Sequence, residues 1–174
     1  MNVKKNQDLK ILFIGLDGVG KTTIITKLKD LKDGEVVEIF PTPFINCKRI
    51  KYENKIINCV EVSGLKRYRK IWKNFYDEVD GIMFVIDSSD LARMKIVKEL
   101  IQEIDKDLNK MMPVVFLVNK QDLENCLSVE QVRNFIELDR IDTNFVWKLV
   151  RTISYTGLGI KEGIDFITSQ LIQG

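Results

Sequence analysis

The chain has 174 residues, 45% of them hydrophobic, with 27 basic against 25 acidic side chains. That suffices for one domain with a real core, and a net charge of +2 gives no bulk argument for binding nucleic acid or an anionic membrane. There is no histidine, which excludes histidine-dependent triads and histidine-ligated zinc.

In chain order, Leu9 to Ile14 (LKILFI) is a short apolar run ending at Gly15, and the glycine-rich turn after it opens into a helix from Lys21 to Leu31. Phe44 to Tyr52 and Lys55 to Val62 are β-rich runs joined at Glu53-Asn54, so a hairpin is predicted. Gly81 to Asp87 and Pro113 to Val118 are apolar strands; Ala92 to Leu108 is helix-periodic, and Ser128 caps a helix running to Glu137. Phe145 to Ile153 and Gly159 to Ile172 repeat strand then helix. Apolar runs alternating with amphipathic helices predict an α/β fold with a mostly parallel six-stranded sheet, one antiparallel edge strand, and helices on both faces. Ligands of such sheets sit at the carboxyl ends of the strands.

Residues 1–174 read as a single domain with a short polar extension over 1–8. Cys47, Cys59 and Cys126 show no CxxC spacing and are expected as buried small hydrophobes in a reducing compartment. No apolar run approaches the ~20 residues that span a bilayer. The first ten residues lack a signal-peptide core, and residue 2 is Asn where N-myristoylation needs Gly. A cytoplasmic protein without a lipid signal of its own is expected.

Gly15-Leu16-Asp17-Gly18-Val19-Gly20-Lys21-Thr22 matches GxxxxGK[ST] between a predicted strand and helix. Backbone N–H groups of such a loop wrap phosphates, Lys21 would reach the outer ones, and the Thr22 hydroxyl would ligate Mg²⁺. Asn119-Lys120-Gln121-Asp122 follows the strand PVVFLV. Asp122 can accept both donors on guanine's Watson–Crick edge, whereas adenine would leave the acceptor unpaired. Lys120 can lay its stem on the base plane, and Asn119 can tie this loop to the phosphate loop.

The sequence GLDGVGKTT, Pro41-Thr42, the Ser63-Gly64 of VEVSG, NKQD and the region of Ser154 together resemble the Arf-like branch of the Ras-superfamily GTPases along nearly the whole chain. SGLKRYRKIW and FVIDSSDLARM are most similar to the ciliary Arf-like subfamily associated with Bardet–Biedl syndrome, whose GTP form recruits a membrane-trafficking coat. The resemblance implies the P-loop NTPase (small G-protein) fold and GTP or GDP with Mg²⁺ as cofactors. It assigns nucleotide contacts to Gly15, Asp17, Gly18, Val19, Gly20, Lys21, Thr22, Thr23, Thr42, Gly64, Asn119, Lys120, Asp122, Ser154 and Tyr155. Thr42 would ligate Mg²⁺ and sense the γ-phosphate, Gly64 would donate its N–H to that phosphate, and Ser154 would meet the guanine carbonyl through its backbone. Mg²⁺ would be held by Thr22, by Thr42 and, through water, by Glu61. Lys21, Thr42, Gly64 and position 65 would form the catalytic set.

Five departures from the family pattern bear on function. Leu65 stands where the family's Gln orders the attacking water, and leucine has no hydrogen-bonding atom, so slow or absent intrinsic hydrolysis is expected. Glu61 replaces the usual Asp, moving the carboxylate by about 1.5 Å, one C–C bond. Pro43-Phe44-Ile45 replaces Ile-Gly-Phe, exchanging a permissive glycine for Phe and fixing a φ by Pro, so this switch is expected to move less. The aromatic trio of the family's effector face maps to Ile45, Val60 and Phe75, leaving one aromatic, and with about eight polar residues before the first strand the family's amphipathic membrane helix is expected to be absent or truncated.

Lys66, Arg67, Arg69, Lys70 and Lys73 form a basic run around Tyr68 and Trp72 that suits an acidic partner, lipid headgroups, or a solvated face with Trp72 in the core. Trp147, Phe145 and Phe166 read as core. Three functions are weighed. The first is a nucleotide switch that persists in its GTP form and binds a trafficking effector, such as a coat, through its switch segments. The second is an active GTPase cycling with a partner that supplies the water-positioning group. The third, a P-loop small-molecule kinase, is disfavoured by NKQD. A monomer is expected, at most peripheral to membranes or the ciliary base, binding no nucleic acid. Its exchange factor and GTPase-activating protein are not legible.

Overall fold

The computed structural model describes residues 8–30, 36–39, 42–53, 55–141 and 144–173. The extension over 1–7, Leu31, Pro41 and Asn54 lie outside the described residues. One sheet runs in the order β2-β3-β4-β1-β5-β6-β7. Its strands are β1 (Leu9–Ile14), β2 (Val36–Ile39), β3 (Ile45–Tyr52), β4 (Lys55–Val62), β5 (Gly81–Asp87), β6 (Met112–Asn119) and β7 (Phe145–Arg151). β1 pairs in parallel with β4 and β5, β5 with β6, and β6 with β7. β3 is antiparallel to β4, in the predicted hairpin.

The six expected strands are all present, and the sheet has a seventh. β2 pairs antiparallel with β3, so β2 and not β3 forms that edge. Four residues inside the charged stretch LKDGEVVEIF are too short to give a periodic signal, and their pairing with β3 is long-range.

The helices are α1 (Lys21–Asp30), α2 (Met94–Asp107), α3 (Val129–Ile136) and α4 (Ile160–Gln173). Ser128 caps α3 as expected, its hydroxyl accepting from Gln131 N while the Gln131 side chain accepts from Ser128 N, a complete capping box. Period-2 alternation divides the sheet's faces. Met83, Val115 and Leu117 face α4, where the missing side chain of Gly163 lets the helix approach. On the other face Phe84 packs on Phe116, Phe116 on Phe145, and Trp72 meets Phe84 edge-on. Trp72 and Phe145 are each 2% exposed, while Trp147 and Phe166 pack at the margin of the core. Of the cysteines, only Cys59 is fully buried; Cys47 and Cys126 are half-buried.

The basic run forms a 3₁₀ helix over Lys66–Glu78, long for that geometry. Trp72 and Tyr76 point into the core while Lys66, Arg67, Lys70 and Lys73 stay in solvent. Among the described residues no helix is long and apolar enough to cross a membrane.

Candidate functional site

The carboxyl ends of β1, β5, β6 and β7 bring two loops together. The first joins β1 to α1, and its Gly20 approaches so closely that a Cβ there would sit 2.5 Å from Asn119 Nδ2. With φ at +100°, this position suits glycine on conformational grounds as well. Asn119, fully buried at the end of β6, donates from Nδ2 to Val19 O at 2.8 Å and accepts at Oδ1 from Ser154 N at 3.0 Å. One side chain thus joins the phosphate-type loop, the NKQD loop and the loop after β7, as its sequence position implies.

The Ser154 N–H donates to Asn119, so it braces the loop here, and a contact to a base carbonyl would have to share or replace that bond. Tyr155 beside it is 75% exposed. The NKQD loop is held by Gln121, which donates from Nε2 to Ser88 Oγ at 2.8 Å and to Leu127 O at 2.7 Å. Lys120 adopts a left-handed backbone, φ 65°, without the hairpin turn or helix end that explains the same conformation at Glu53 and Glu137. Such backbone is costly away from glycine and collects at functional sites. Lys120 Nζ lies 2.5 Å from Asp87 Oδ2. Burial raises the Asp87 carboxyl's pKa, but Lys120 and Ser89 outweigh it and hold the group below its ordinary range. Asp122 is exposed on the same loop.

Lys21 is 7% exposed at the start of α1 and folds its ammonium onto Leu16 O at 2.7 Å and Gly15 O at 3.2 Å. Burial pulls its pKa down to about 8, against opposition from Glu61 and Asp17. The Thr22 hydroxyl donates to Glu61 Oε1, and Asn46 Nδ2 lies 3.5 Å from Glu61 Oε2. Thr23 is half-buried in the first turn of α1. Oxygen donors from a threonine and a buried carboxylate suit a hard cation such as Mg²⁺. A cavity of about 310 Å³ opens beside them, lined by Lys21, Thr22, Thr42, Asn46, Glu61 and Gly64 among others.

Thr42 lines that cavity, but its hydroxyl is engaged elsewhere. It accepts from Ile45 N at 2.9 Å and donates to Ile45 O at 3.3 Å, closing the Thr-Pro-Phe-Ile turn. To serve as a metal ligand it has to leave Ile45. Phe44 stacks on Tyr68 with ring centroids 5.2 Å apart, and Ser63 N donates to Phe44 O at 2.8 Å. Gly64 is pressed on the first loop: a Cβ would lie 2.2 Å from Leu16 C and 2.3 Å from Gly15 O. Leu65 is 43% exposed.

The model of the ADP-ribosylation factor family matches residues 1–171. The chain belongs to that family. Among its relatives is ADP-ribosylation factor-like protein 2 of Arabidopsis thaliana, 34% identical over 169 residues, covering 97% of this chain and 90% of the relative. ADP-ribosylation factor-like protein 6 of Danio rerio is also 34% identical, over 173 residues, covering 96% and 90%. A solved structure of the Arl6 BBS3 small GTPase from Trypanosoma brucei, with bound nucleotide analogue GppNp, superposes with a TM-score of 0.84 at 25% identity, covering 96% of this chain and 99% of that one. The Arf-like resemblance carried by the motifs is therefore correct, and the small-GTPase fold with it.

Sequence reasoning missed Arg69, Arg93, Asp87 and Asn46 as parts of this Arf-like site. Arg69 was hidden in a basic run whose other members face solvent. Asp87 ends β5 and Arg93 lies in the turn after it, and their position at an apolar strand's carboxyl end was the available signal.

Proposed function

We propose that this Arf-like protein is a guanine-nucleotide switch that holds GTP and hydrolyses it slowly. The observation that carries the reading is Asn119, which binds the phosphate-type loop and the base-reading loop into one buried unit. The resemblance gives the base to Asp122 and Lys120, the phosphates to the backbone of Gly15 through Gly20 with Lys21, and Mg²⁺ to Thr22, Thr42 and, through water, Glu61. Bound there, Mg²⁺ supplies positive charge to the outer phosphates. The chain's own part in hydrolysis is reduced at Leu65: its half-exposed side chain has no atom to orient a water, and no histidine can take over.

The two switch segments form the effector face. Phe44, Tyr68 and the exposed Lys66, Arg67, Lys70 and Lys73 offer an aromatic and basic surface, fitting a partner with acidic character. Val60, which the resemblance maps to one of the family's effector-face aromatics, is 4% exposed here and adds nothing to that surface. A role in membrane or ciliary trafficking, in the cytoplasm with peripheral residence at membranes or the ciliary base, follows from the resemblance. A fluorescent fusion spread evenly through ciliated cells under GTP-locking conditions would contradict it.

The deciding test is single-turnover phosphate release from protein loaded with GTP and Mg²⁺, bound nucleotide quantified, beside Leu65→Gln. We expect the parent to hold intact GTP and the Gln variant to hydrolyse it at least about tenfold faster, approaching an intrinsic rate of order 10⁻⁴ s⁻¹. Equal rates in the two proteins would show that another residue orders the water.

A further inference from the structure

Three consecutive carbonyls of the second switch are held by the 3₁₀ helix that follows them. Trp72 Nε1 donates to Ser63 O at 3.1 Å, Arg69 Nε to Gly64 O at 2.8 Å, and Tyr68 N to Leu65 O at 2.8 Å. Arg69 makes a further contact that the other two do not. Its Nη2 lies 3.8 Å from Asp17 Oδ1 on the phosphate loop, and its side chain is only 15% exposed. The same carboxylate oxygen lies 3.2 Å from Arg93 Nη1, and Arg93 Nη2 also donates to Asp17 O at 3.3 Å. Arg93 is itself anchored through Nε to Asp90 at 2.5 Å. Asp17 is therefore fixed from the start of α2 and offered to Arg69 from the switch.

We infer that Arg69 is a positioning residue that couples Gly64 to the phosphate loop through Asp17, and so sets how strongly the chain prefers a nucleoside triphosphate to a diphosphate. This rests on the guanine-nucleotide reading above. The physical reason is an asymmetry of reach. A diphosphate is served by the loop from Gly15 to Thr22, which Arg93 and Asn119 hold from outside the switch. A third phosphate adds the need for Gly64, whose backbone lies in contact with residues 15–17. A guanidinium fork can grip a carbonyl and a carboxylate at once, and a shorter or single-headed side chain cannot. Arg69 lies outside the phosphate-loop and base-reading motifs, and it is the member of the basic run that turns inward.

The experiment is displacement of a fluorescent GDP and a fluorescent non-hydrolysable GTP analogue from the loaded full chain, for the parent, Arg69→Ala and Arg69→Lys. Losing a charge-assisted bond and its ion pair should speed release of the triphosphate about tenfold and of the diphosphate less than about twofold, with Lys recovering part of the difference. Melting of the GDP-loaded proteins reports on folding, and Arg69→Lys, which keeps the charge, carries the test should Arg69→Ala be unstable. Equal acceleration of both nucleotides would reduce Arg69 to a structural contact and overturn the proposal, as would no change in either. A parent that retains neither nucleotide would overturn the guanine-nucleotide reading instead.

Discussion

The two halves of the site are built differently. On the base side, Asn119, Ser154 and Ser88 are at most 5% exposed and spend their polar atoms on one another's loops. On the switch side, Phe44, Tyr68, Asn46 and Arg69 are partly exposed and joined by one ring stack, one guanidinium and a few backbone bonds. Buried, fully paired networks open only with much of the fold, whereas partly exposed contacts open locally. The half proposed to read the nucleotide is thus part of the core, and the half proposed to report its state is held by replaceable contacts.

The strongest way to break this comparison is Asn119→Ala. It leaves Val19 O and the Ser154 N–H buried without their partner, and orphaning two such groups should cost about 3 kcal/mol or more. We expect a clear drop in melting temperature and, at a comparable energy, nucleotide release on the order of 100-fold faster. A variant that melts and releases GDP like the parent would show that the base side is not the rigid half.

Lys21 gives a smaller effect with a definite sign. Its folded pKa is about 8 against an ordinary 10.5, so between those values the unfolded chain binds more protons than the folded one. Stability of the nucleotide-free protein must then rise with pH across that window, by about 2 kcal/mol at pH 9.5. Burial raises the pKa of the Cys59 thiol and the Tyr76 phenol, which act in the opposite direction at high pH. The readout is therefore the difference in unfolding free energy between the parent and Lys21→Met, followed by denaturant titration from pH 7.5 to 9.5. A difference that does not change with pH would mean that the ammonium is not desolvated by its fold onto Gly15 and Leu16.

What was legible in the sequence follows the same division. LKILFI, PVVFLV and GIMFVID are buried on both faces and signal strands by composition alone, and the phosphate loop and NKQD declare themselves because backbone geometry and base pairing demand those residues at those spacings. β2 was silent because its four residues gain their order from β3. The hydroxyl of Thr42 was assigned by family position, yet its direction depends on the Pro43-Phe44 turn, where the nearest acceptor is Ile45 O. Ser154 was likewise assigned a base contact by family position, and its N–H here serves Asn119, a pairing that sequence alone does not show. Arg69 was one of five cations in a run, and only the winding of the 3₁₀ helix separates its inward position from the four outside.

The smallest effect tests how tightly the two switch segments are tied. By the resemblance Phe44 stands where the family has glycine, and its ring meets Tyr68 at 5.2 Å with planes 24° apart. Arg67 lies over the other partner's ring, 4.7 Å from the Tyr68 centroid, so the stack has a cation at its edge. A double-mutant cycle of Phe44→Leu and Tyr68→Leu should return a coupling of about 1 kcal/mol beyond lost area. Because the contact is local, it should speed amide exchange at Ser63, whose N–H donates to Phe44 O, while leaving Ser154 protected. Additive single effects would mean that the segments move independently and that Pro43-Phe44 does not stiffen the switch. Coupling that also reached Ser154 would mean the two halves open as one unit, and the difference between them would lie in exposure alone.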